Sequence, residues 1–381
     1  MRALIVEDGY QRGALAACRA LGRTGWKVGI ASPEPGGFGA SSRWAERWHR
    51  VPSPEAGRDL FLDALQGAIA DGGYDVVFAA GDGELLAISD GRERLAAIVP
   101  YPAHDDLVRA LDKLQLAEAA RSAGLAIPET VPAAEAGAPF NGAVVVKPRL
   151  TTAAGEKGGA LRLRAVLART AEAAQERVDF LRSVGAEPLL QRFVPGVLSA
   201  LVVVTDREGR IVVSVQQHAE MIWPREAGGS VRARVVPVDE GLEKQVGALL
   251  AELRWFGLAQ VQFQPDESGE PLLIDLNARF YGSMALALAS GPNLPAIWAA
   301  LAIGERPPVV RLPSAGTCYH WLEADLRRAL VERHGGLVRD VADSLRYARR
   351  STHGLWDRRD PAPALRHLGW LALRRLRKLG R

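Results

Sequence analysis

The sequence predicts an α/β protein, with a small doubly wound domain at its N-terminus, a mixed α+β centre and a helical basic tail. Three observations carry this prediction. Near the N-terminus an Ala-rich helical stretch separates two short apolar runs, Ala3–Val6 and Val28–Ala31, as in the strand–helix–strand unit of a parallel sheet. In the centre, apolar runs joined by short turns are typical of β-hairpins. Beyond Pro308 the chain becomes Arg-rich and shows helical periodicity.

The predicted elements follow in order. In the N-terminal domain we expect helices over 13–21, 57–71 and 84–95, and further strands at 75–80 and 97–99. The next region should hold helices over 106–126 and 166–184 and strands at 143–146, 161–164 and 188–193. Two hairpins are expected, 198–205 with 210–217 and 259–264 with 271–276, together with helices over 242–253, 285–289 and 294–303. The tail should add helices over 322–333, 338–350 and 364–379.

The sequences of two loops in the N-terminal domain lead to further expectations. The turn after the first strand reads EDGYQRG. It lacks the G-x-G-x-x-G pattern, so a dinucleotide-binding fingerprint is absent. The Gly-rich segment 33–40 is expected to be the most mobile loop of this domain.

Charge is unevenly distributed along the 381 residues. The net charge is only +4, but residues 327–381 hold 15 Arg or Lys and 5 Asp or Glu, so the rest of the chain is slightly acidic. A basic tail leaves contact with an anionic membrane surface open, although such segments are more often solvated or cap a domain. We expect no nucleic-acid partner.

The cysteines and the distribution of apolar residues indicate the cellular compartment. Two distant cysteines, Cys18 and Cys318, form neither a disulfide framework nor a metal-ligand spacing. The N-terminus has no signal-peptide core, and the longest apolar tract, 285–303, is interrupted by glycine and proline. We therefore expect a cytoplasmic protein. A homodimer is consistent with this expectation, because two-fold dimers are the commonest oligomers of soluble proteins.

The stretch Leu272–Met284, LLIDLNARFYGSM, concentrates polar groups after an apolar run. Asp275, Asn277 and Arg279 fall on one face if the extended conformation continues. Carboxylate and amide oxygens are ligands that Mg²⁺ accepts, and an arginine beside them suits a phosphate or carboxylate. The alternative is a strand that ends in a polar turn, with Asp275 as a cap and Arg279 as its surface partner. From this stretch alone the two interpretations are about equal.

Lysine is rare in this chain, which has 42 arginines and six lysines. Lys147 ends an apolar strand, where an inward charge would require an anionic partner. Lys157 lies in the loop TTAAGEKGGA, whose glycines let backbone N–H groups approach phosphate oxygens. Lys113 precedes them on a predicted helix. Together the three favour a polyphosphate site, while a helix-surface Lys113 and a loop-tip Lys157 remain the alternatives.

These motifs, in this order, resemble the ATP-grasp superfamily, in particular carboxylate–amine ligase-like members with a preceding small α/β domain. The resemblance extends over roughly residues 1–308. The matching segments are DK at 112–113, GLAIPET at 124–130, VVVKP at 144–148, LLQRFVPG at 189–196, GG at 228–229, VQF at 261–263 and DLNARF at 275–280. It implies a two-lobed fold with a pre-ATP-grasp domain over 1–105, a small lobe over 106–188, a large lobe over 189–310 and an Arg-rich C-terminal segment over 311–381.

The resemblance also implies roles. Lys113 and Lys147 would contact the ATP phosphates, and Lys147 with Arg279 would act in catalysis. The loop 150–160, with Lys157, would cover the phosphates. The hinge that holds adenine by its backbone would be formed by Gln191, Arg192, Phe193 and Val194. Asp275 and Asn277 would bind Mg²⁺, with Mn²⁺ as the alternative metal.

Departures from the family pattern affect the metal site. Gln262 stands thirteen residues before Asp275, where the family usually has an acidic ligand, so a charge is lost. Asp275 itself replaces a glutamate and is one methylene shorter. Arg192 stands where an acid is common. These changes leave two expectations: an ADP-forming ligase that joins a carboxylate to an amine through an acyl phosphate, or an ATP-binding regulatory or degenerate module without ligase activity.

Substrate contacts are expected in the stretch QQHAEMIWPREAGGSVRAR. His218, Ser230, Arg232 and Arg234 are the candidates for the small-molecule carboxylate and amine. Arg232 and Arg234 share one face of an extended run and would hold a carboxylate or phosphate. A charged edge strand is an equally good interpretation of these two arginines, and a structural role is the better one for His218.

Overall fold

The N-terminal domain is a parallel sheet covered by helices. The computed structural model describes residues 1–135, 142–154, 160–224 and 228–379. The domain consists of β1 (Arg2–Val6), α1 (Arg12–Gly22), β2 (Lys27–Ser32), β3 (Ala45–Arg50), α2 (Arg58–Gly72), β4 (Val76–Ala79) and α3 (Asp82–Asp90). The strands lie in the order β3-β2-β1-β4, and each pair is parallel. The predicted doubly wound domain is therefore confirmed.

One strand of this domain was not predicted, and one predicted strand was wrong. The strand β3, AERWHR, was not predicted, because it is a largely exposed edge strand without an apolar run. The apolar segment 97–99 contributes only an isolated bridge between Val76 and Ile98. Hydrophobicity predicts buried strands well and polar edge strands poorly.

The small lobe is an antiparallel sheet with one long helix against it. Its elements are α4 (His104–Leu111), α5 (Lys113–Ser122), β5 (Thr130–Pro132), β6 (Val144–Pro148), β7 (Thr152–Ala154), β8 (Ala160–Arg162), β9 (Val166–Ala168), α6 (Ala171–Ser183) and β10 (Pro188–Arg192). The main sheet has the order β5-β10-β6-β9, and β7 pairs with β8.

Two predicted helices of this lobe differ from the structure. The helix expected over 106–126 is divided at Asp112, whose carboxylate accepts the backbone N–H groups of Leu114 and Gln115 at 2.9 and 3.2 Å and so caps a new helix. The helix expected from 166 begins only at Ala171, with Thr170 as its N-cap, because the residues before it form β9.

The large lobe and the tail share one sheet. The lobe consists of β11 (Ser199–Thr205), β12 (Ile211–Trp223), β13 (Gly229–Val236), α7 (Glu240–Glu252), β14 (Gly257–Pro265), β15 (Pro271–Asn277), α8 (Met284–Ser290) and α9 (Leu294–Ala302). The tail adds β16 (Cys318–His320), α10 (Leu322–Glu332), α11 (Leu337–Arg349), β17 (Thr352–His353) and α12 (Ala362–Leu379). Both predicted hairpins and all three tail helices are confirmed, and the two short tail strands extend the sheet to β15-β14-β11-β12-β13-β16-β17.

Two hydrophobic cores determine where the cleft lies. One core runs without interruption from the N-terminal domain into the large lobe. At this junction Trp298 of α9 packs against Phe78 and Phe280, with ring centroids 4.7 and 5.4 Å away, and its indole N–H donates to the carbonyl of Pro100 at 3.1 Å. The sheet of the small lobe and α6 have a separate core, whereas α4 and α5 pack into the first core. The N-terminal domain and large lobe thus form one packed body that faces the small lobe.

No single helix among the described residues is long and apolar enough to cross a bilayer. The pair α8 and α9 reaches that length and composition only across a bend of 95°, and most of its residues are buried in the core.

Candidate functional site

A cleft of about 1090 Å³ lies where the N-terminal domain, both lobes and the tail meet. It brings together most of the residues that the sequence singled out. Those that line it are Lys113, Lys147, Gln191, Arg192, Phe193, Val194, Ser230, Gln262, Asp275, Asn277 and Arg279.

Lys113, Lys147 and Asp275 form a lysine–aspartate cluster in this cleft. Lys113 begins α5 directly after the Asp112 cap, and its Nζ lies 2.7 Å from Oδ1 of Asp275. Lys147 lies on β6, and its Nζ donates to the carbonyl of Ile274 at 3.4 Å. Both lysine side chains are largely buried. Lys113 is paired with Asp275, whereas the hydrogen-bond partner of Lys147 among the described residues is the backbone carbonyl of Ile274.

A β-bulge explains the carbonyl that Lys147 contacts. In the β14–β15 ladder Gln262 lies opposite Asp275, but Phe263 lies opposite Leu273. Ile274 is therefore the extra residue, and its carbonyl is available to the lysine. Bulges commonly occur beside functional sites, where they redirect a side chain or a backbone group.

Burial, together with the positive charge of Lys113, lowers the pKa of Lys147 to about 7, while Asp275 opposes the shift. A cation that is costly to bury without an anion is stabilised when an anion arrives. The cluster is consequently suited to a negatively charged ligand such as a polyphosphate.

Four side chains of β14 and β15 form a polar face beside the cluster. Gln262 lies opposite Asp275 and Gln260 opposite Asn277 in the ladder, and all four line the cleft. Asn277 Nδ2 donates to Gln260 Oε1 at 3.2 Å, which leaves the amide oxygen of Asn277 for a ligand. Gln260 was missed by the sequence analysis, although a period of two from Gln262 would have found it.

The donor set fits one Mg²⁺ ion. Asp275 supplies one carboxylate, and Asn277 and Gln262 supply neutral amide oxygens. Mg²⁺ is often held by one or two carboxylates, with phosphate oxygens and waters completing six ligands. No group of three or more His, Cys, Asp or Glu side chains suited to a metal occurs in the part of the chain that the structure describes. A second ion would lack its own carboxylate here.

Arg279 lines the cleft but is already paired. Its Nε and Nη2 donate to the two carboxylate oxygens of Asp82 at 2.6 and 3.3 Å. Asp82 begins α3 in the N-terminal domain, so this buried pair joins that domain to the large lobe. The family resemblance predicts a catalytic role for Arg279, and nothing in the sequence indicates its pairing with Asp82. The fork geometry holds the guanidinium in one orientation at the wall of the cleft.

The predicted hinge residues follow one another along the cleft. Gln191 and Arg192 end β10, where the backbone N–H of Arg192 donates to the carbonyl of Glu129 at 2.9 Å and the side chain of Gln191 donates to Thr130 at 2.8 Å. The N–H groups of Phe193 and Val194 donate to no acceptor among the described residues. Open backbone donors at the wall of a cleft fit a heterocyclic base.

The described ends of the predicted flap, β7 and β8, pair as antiparallel strands. Thr152 pairs with Arg162, and Ala154 pairs with Ala160. Lys157 lies outside the described residues.

The four substrate candidates are not brought together. Ser230 lines the cleft. Arg232 is buried in an ion pair with Asp325 at 2.8 Å and also contacts Asp343 at 2.7 Å, so its prediction as a substrate residue was wrong. His218 and Arg234 lie opposite each other in the β12–β13 ladder, outside the lining of the cleft. The edge-strand alternative was also wrong, because β13 lies between β12 and β16.

The far wall of the cleft was missed by the sequence analysis. It is lined by residues of the N-terminal domain and of the tail, which are far apart in the chain. They are Asp8, Tyr10, Gln11, Arg12, Gly13, Phe38, Trp321, Glu323, Arg327, His367 and Trp370.

The family comparison agrees with this architecture. Residues 201–324 match the family model described as ATP-grasp in the biosynthetic pathway with Ter operon. The L-amino acid ligase from Bacillus licheniformis superposes with a TM-score of 0.64 over 83% of this chain and 79% of that chain, at 15% identity. The chain has the ATP-grasp fold.

Other ATP-grasp structures are similar over the same regions. N5-carboxyaminoimidazole synthetase from Staphylococcus aureus has a TM-score of 0.63 at 14% identity, covering 87% of this chain and 86% of that one. The biotin carboxylase domain of the Hydrogenobacter thermophilus 2-oxoglutarate carboxylase, a complex with MgADP, has a TM-score of 0.62 at 14% identity, covering 83% and 73%. No curated protein matches the sequence.

Proposed function

We propose that this ATP-grasp protein is an ADP-forming ligase that joins a carboxylate to an amine. The observation that supports it most is the convergence of Lys113, Lys147, Asp275 and Asn277 on one cleft that is also lined by the open backbone of Phe193 and Val194. Buried cations, a magnesium-compatible donor set and a hinge for a base are together what a metal–ATP complex needs. The L-amino acid ligase with the same fold joins amino acids according to its name.

The reaction divides into two displacements. A carboxylate oxygen of one substrate attacks the γ-phosphorus of ATP, the bond to the bridging oxygen breaks, and ADP leaves. The amine nitrogen of the second substrate then attacks the acyl carbon of the acyl phosphate. The carbon–nitrogen bond forms, inorganic phosphate leaves and the amine loses a proton.

The protein contributes charge and position. Lys147 and Lys113 lie where cations neutralise phosphate oxygens, which is the main contribution of a protein to phosphoryl transfer. Mg²⁺, held by Asp275 and Asn277 with Gln262, would neutralise further phosphate charge and orient ATP. Arg279, fixed by Asp82, would add positive charge for the acyl phosphate at the wall of the cleft. The side chains therefore act without covalent catalysis.

A screen for ADP release tests the proposal. Purified protein with ATP and Mg²⁺ is incubated with pairs drawn from a panel of carboxylates and amines, and ADP is measured by a coupled assay. A pair that accelerates ADP release, with stoichiometric amide in mass spectrometry, is the expected result. ATP binding without acceleration by any pair in a panel that includes amino acids contradicts it.

A module that binds ATP without ligase activity is the second candidate. It is favoured by the single carboxylate of the polar face, since Gln262 occupies the position opposite Asp275, and by the ion pair that already occupies Asp275. This candidate predicts that ATP raises the melting temperature while ADP release stays at the level of buffer with every substrate pair.

A further inference from the structure

Four rings form an aromatic wall at the far side of the cleft: Tyr10, Phe38, His367 and Trp370. Tyr10 packs on Phe38 with ring centroids 5.5 Å apart and lies 6.0 Å from Trp370. His367 packs edge-on against Phe38 at 5.1 Å and stacks with Trp370 at 6.0 Å. The wall thus joins two N-terminal loops to the last helix, α12.

Two of the four rings are buried and support the wall, and the other two are exposed at the cleft. Phe38 is 7% exposed and His367 is largely buried, so these two form the base of the wall. Tyr10 and Trp370 are each 43% exposed, and both line the cleft. Two neighbouring rings held open toward a cavity provide a surface on which a third ring packs favourably.

Arg12 lies at the same side of the cleft as a cation without an acidic partner. Its guanidinium stacks on Trp321, 3.4 Å from the ring centroid, and Nη1 donates to the Tyr319 hydroxyl at 3.0 Å. No carboxylate lies within ion-pair distance of it in the described residues. Burial lowers its pKa, and the nearby Tyr319 and Glu323 oppose that shift only in part. A Cβ at Gly282 would lie 2.9 Å from its Nη2, so glycine there leaves room for the guanidinium.

Other arginines of this chain show the contrast. The three that are most buried all have an acidic partner: Arg19 with Asp360, Arg232 with Asp325, and Arg328 with both Asp325 and Asp340. In these three places the buried guanidinium is paired with a carboxylate. At Arg12 the fold supplies an aromatic ring, a hydroxyl and an opening to the cleft.

The nearby acid is already engaged. Glu323 binds His367 at 2.7 Å and Arg327 at 2.5 Å. The hydrogen bond from His367 holds the pKa of Glu323 below its usual value, so the carboxylate is ionised and committed to these two partners. Arg12 therefore remains the cation that an incoming anion meets. Its Nε and Nη2 donate to no acceptor among the described residues, which leaves them for one carboxylate, whereas a phosphate monoester with a charge near −2 would call for a second uncommitted cation.

We propose that this side of the cleft binds one of the two organic substrates, and that this substrate is an aromatic carboxylic acid. Its ring packs on Tyr10 and Trp370, and its carboxylate is held by Arg12. That the bound molecule is a substrate rests on the proposed ligase function. The binding itself depends only on the aromatic wall and Arg12.

Three matched probes test the chemistry of binding. The full chain is titrated without ATP, by calorimetry, with 3-phenylpropanoate, with 3-cyclohexylpropanoate, which lacks the aromatic ring, and with 3-phenylpropanamide, which lacks the charge. We expect the first to bind about tenfold more tightly than either of the others. Equal affinity for all three, or no binding of 3-phenylpropanoate, overturns the proposal.

Two variants locate the site, and each has a control. Trp370→Leu should weaken 3-phenylpropanoate about tenfold, while Trp356→Leu, at a 49% exposed tryptophan outside the cleft, should not change it. Arg12→Gln should abolish the preference for the acid over the amide, and the exposed Arg339→Gln should keep it. If Arg12→Gln lowers the melting temperature, Tyr10→Leu is used instead. Like Trp370→Leu, it should weaken the binding of 3-phenylpropanoate about tenfold. Unchanged affinity in Trp370→Leu and Tyr10→Leu overturns the proposal.

ADP release separates this inference from the ligase proposal. If aromatic acids bind but no pair releases ADP, the ligase function fails and the binding site stands. If non-aromatic acids accelerate ADP release and Trp370→Leu does not alter their rates, the ligase function stands, and the assignment of an aromatic acid as its substrate fails.

Discussion

The two sides of the cleft are built in different ways. The lysine–aspartate cluster and its polar face come from strands and a helix start that belong to the lobes, and each residue sits next to a short recognisable motif. The aromatic wall and Arg12 come from loops and helix ends at opposite termini of the chain. One side is polar and partly neutralised by the pair Lys113–Asp275. The other is aromatic, with an unpaired guanidinium among the described residues.

The lysine–aspartate cluster and the polar face are built by the ATP-grasp fold itself. The aromatic wall is built by segments outside the two lobes. Strand register places Gln262 opposite Asp275 and Gln260 opposite Asn277 as a direct consequence of the hairpin. The aromatic wall depends on how the tail returns to the N-terminal domain. That return is anchored by Asp360, which binds Arg19 at 2.9 Å and Ser42 at 2.6 Å. A nucleotide site and a substrate site that are built separately should respond to mutation separately.

Lys147→Ala has the largest expected effect. Removing a buried cation from the phosphate site should weaken ATP by about 3 kcal/mol, or roughly 100-fold, and leave the affinity for 3-phenylpropanoate unchanged. Calorimetric titration with ATP and with the acid measures both. Lys244→Ala, at an exposed lysine of α7, is the control. Loss of both affinities would show that the two sides are one site.

Asp275→Asn removes the only carboxylate of the polar face. We expect the Mg²⁺ concentration for half-maximal ATP binding to rise about 30-fold, within the range for disrupted metal sites. The measurement is a Mg²⁺ titration at fixed ATP, with the melting temperature recorded because Lys113 loses its partner. Asp179→Asn, an exposed residue of α6, serves for comparison. An unaltered Mg²⁺ requirement would remove Asp275 from the metal site.

The pH dependence of ATP binding should report Lys147. Its pKa is lowered to about 7, so the side chain is charged below pH 7 and loses its proton as the pH rises. If the charged form binds, ATP affinity falls about tenfold from pH 6 to pH 8. Lys147→Arg remains charged throughout, and the difference between the two proteins cancels the titration of ATP itself. Parallel pH profiles would contradict the assignment.

Gln262→Glu should have the smallest effect and the opposite sign. A carboxylate opposite Asp275 adds a second charged metal ligand, and we expect the Mg²⁺ requirement to fall about fivefold. Gln264→Glu, two residues along the same strand, is the control. A higher Mg²⁺ requirement in Gln262→Glu would mean that repulsion between the carboxylates outweighs the added ligand.

Local sequence determined the parts of this protein that depend on neighbours in the chain. Apolar runs and turn residues predicted the parallel N-terminal sheet, both hairpins and the tail helices, because strand and helix periodicity is a property of a short segment. Spacing along β15 placed Asp275 and Asn277 on one face, and both line the cleft. The small division of α4 from α5 at Asp112 escaped prediction because a capping aspartate also occurs within helical stretches.

The tertiary structure determines which groups each charged side chain contacts. Arg232 and Arg279 look alike in sequence, but Arg232 is enclosed by the tail and Arg279 is held by Asp82 of another domain. Likewise Tyr10 and Trp370 are 360 residues apart and meet only because α12 returns to the first loop. Contacts across such separations depend on the packing of whole domains, for which a single sequence carries no local signal. The lysine–aspartate cluster was therefore foreseeable, and the aromatic wall was not.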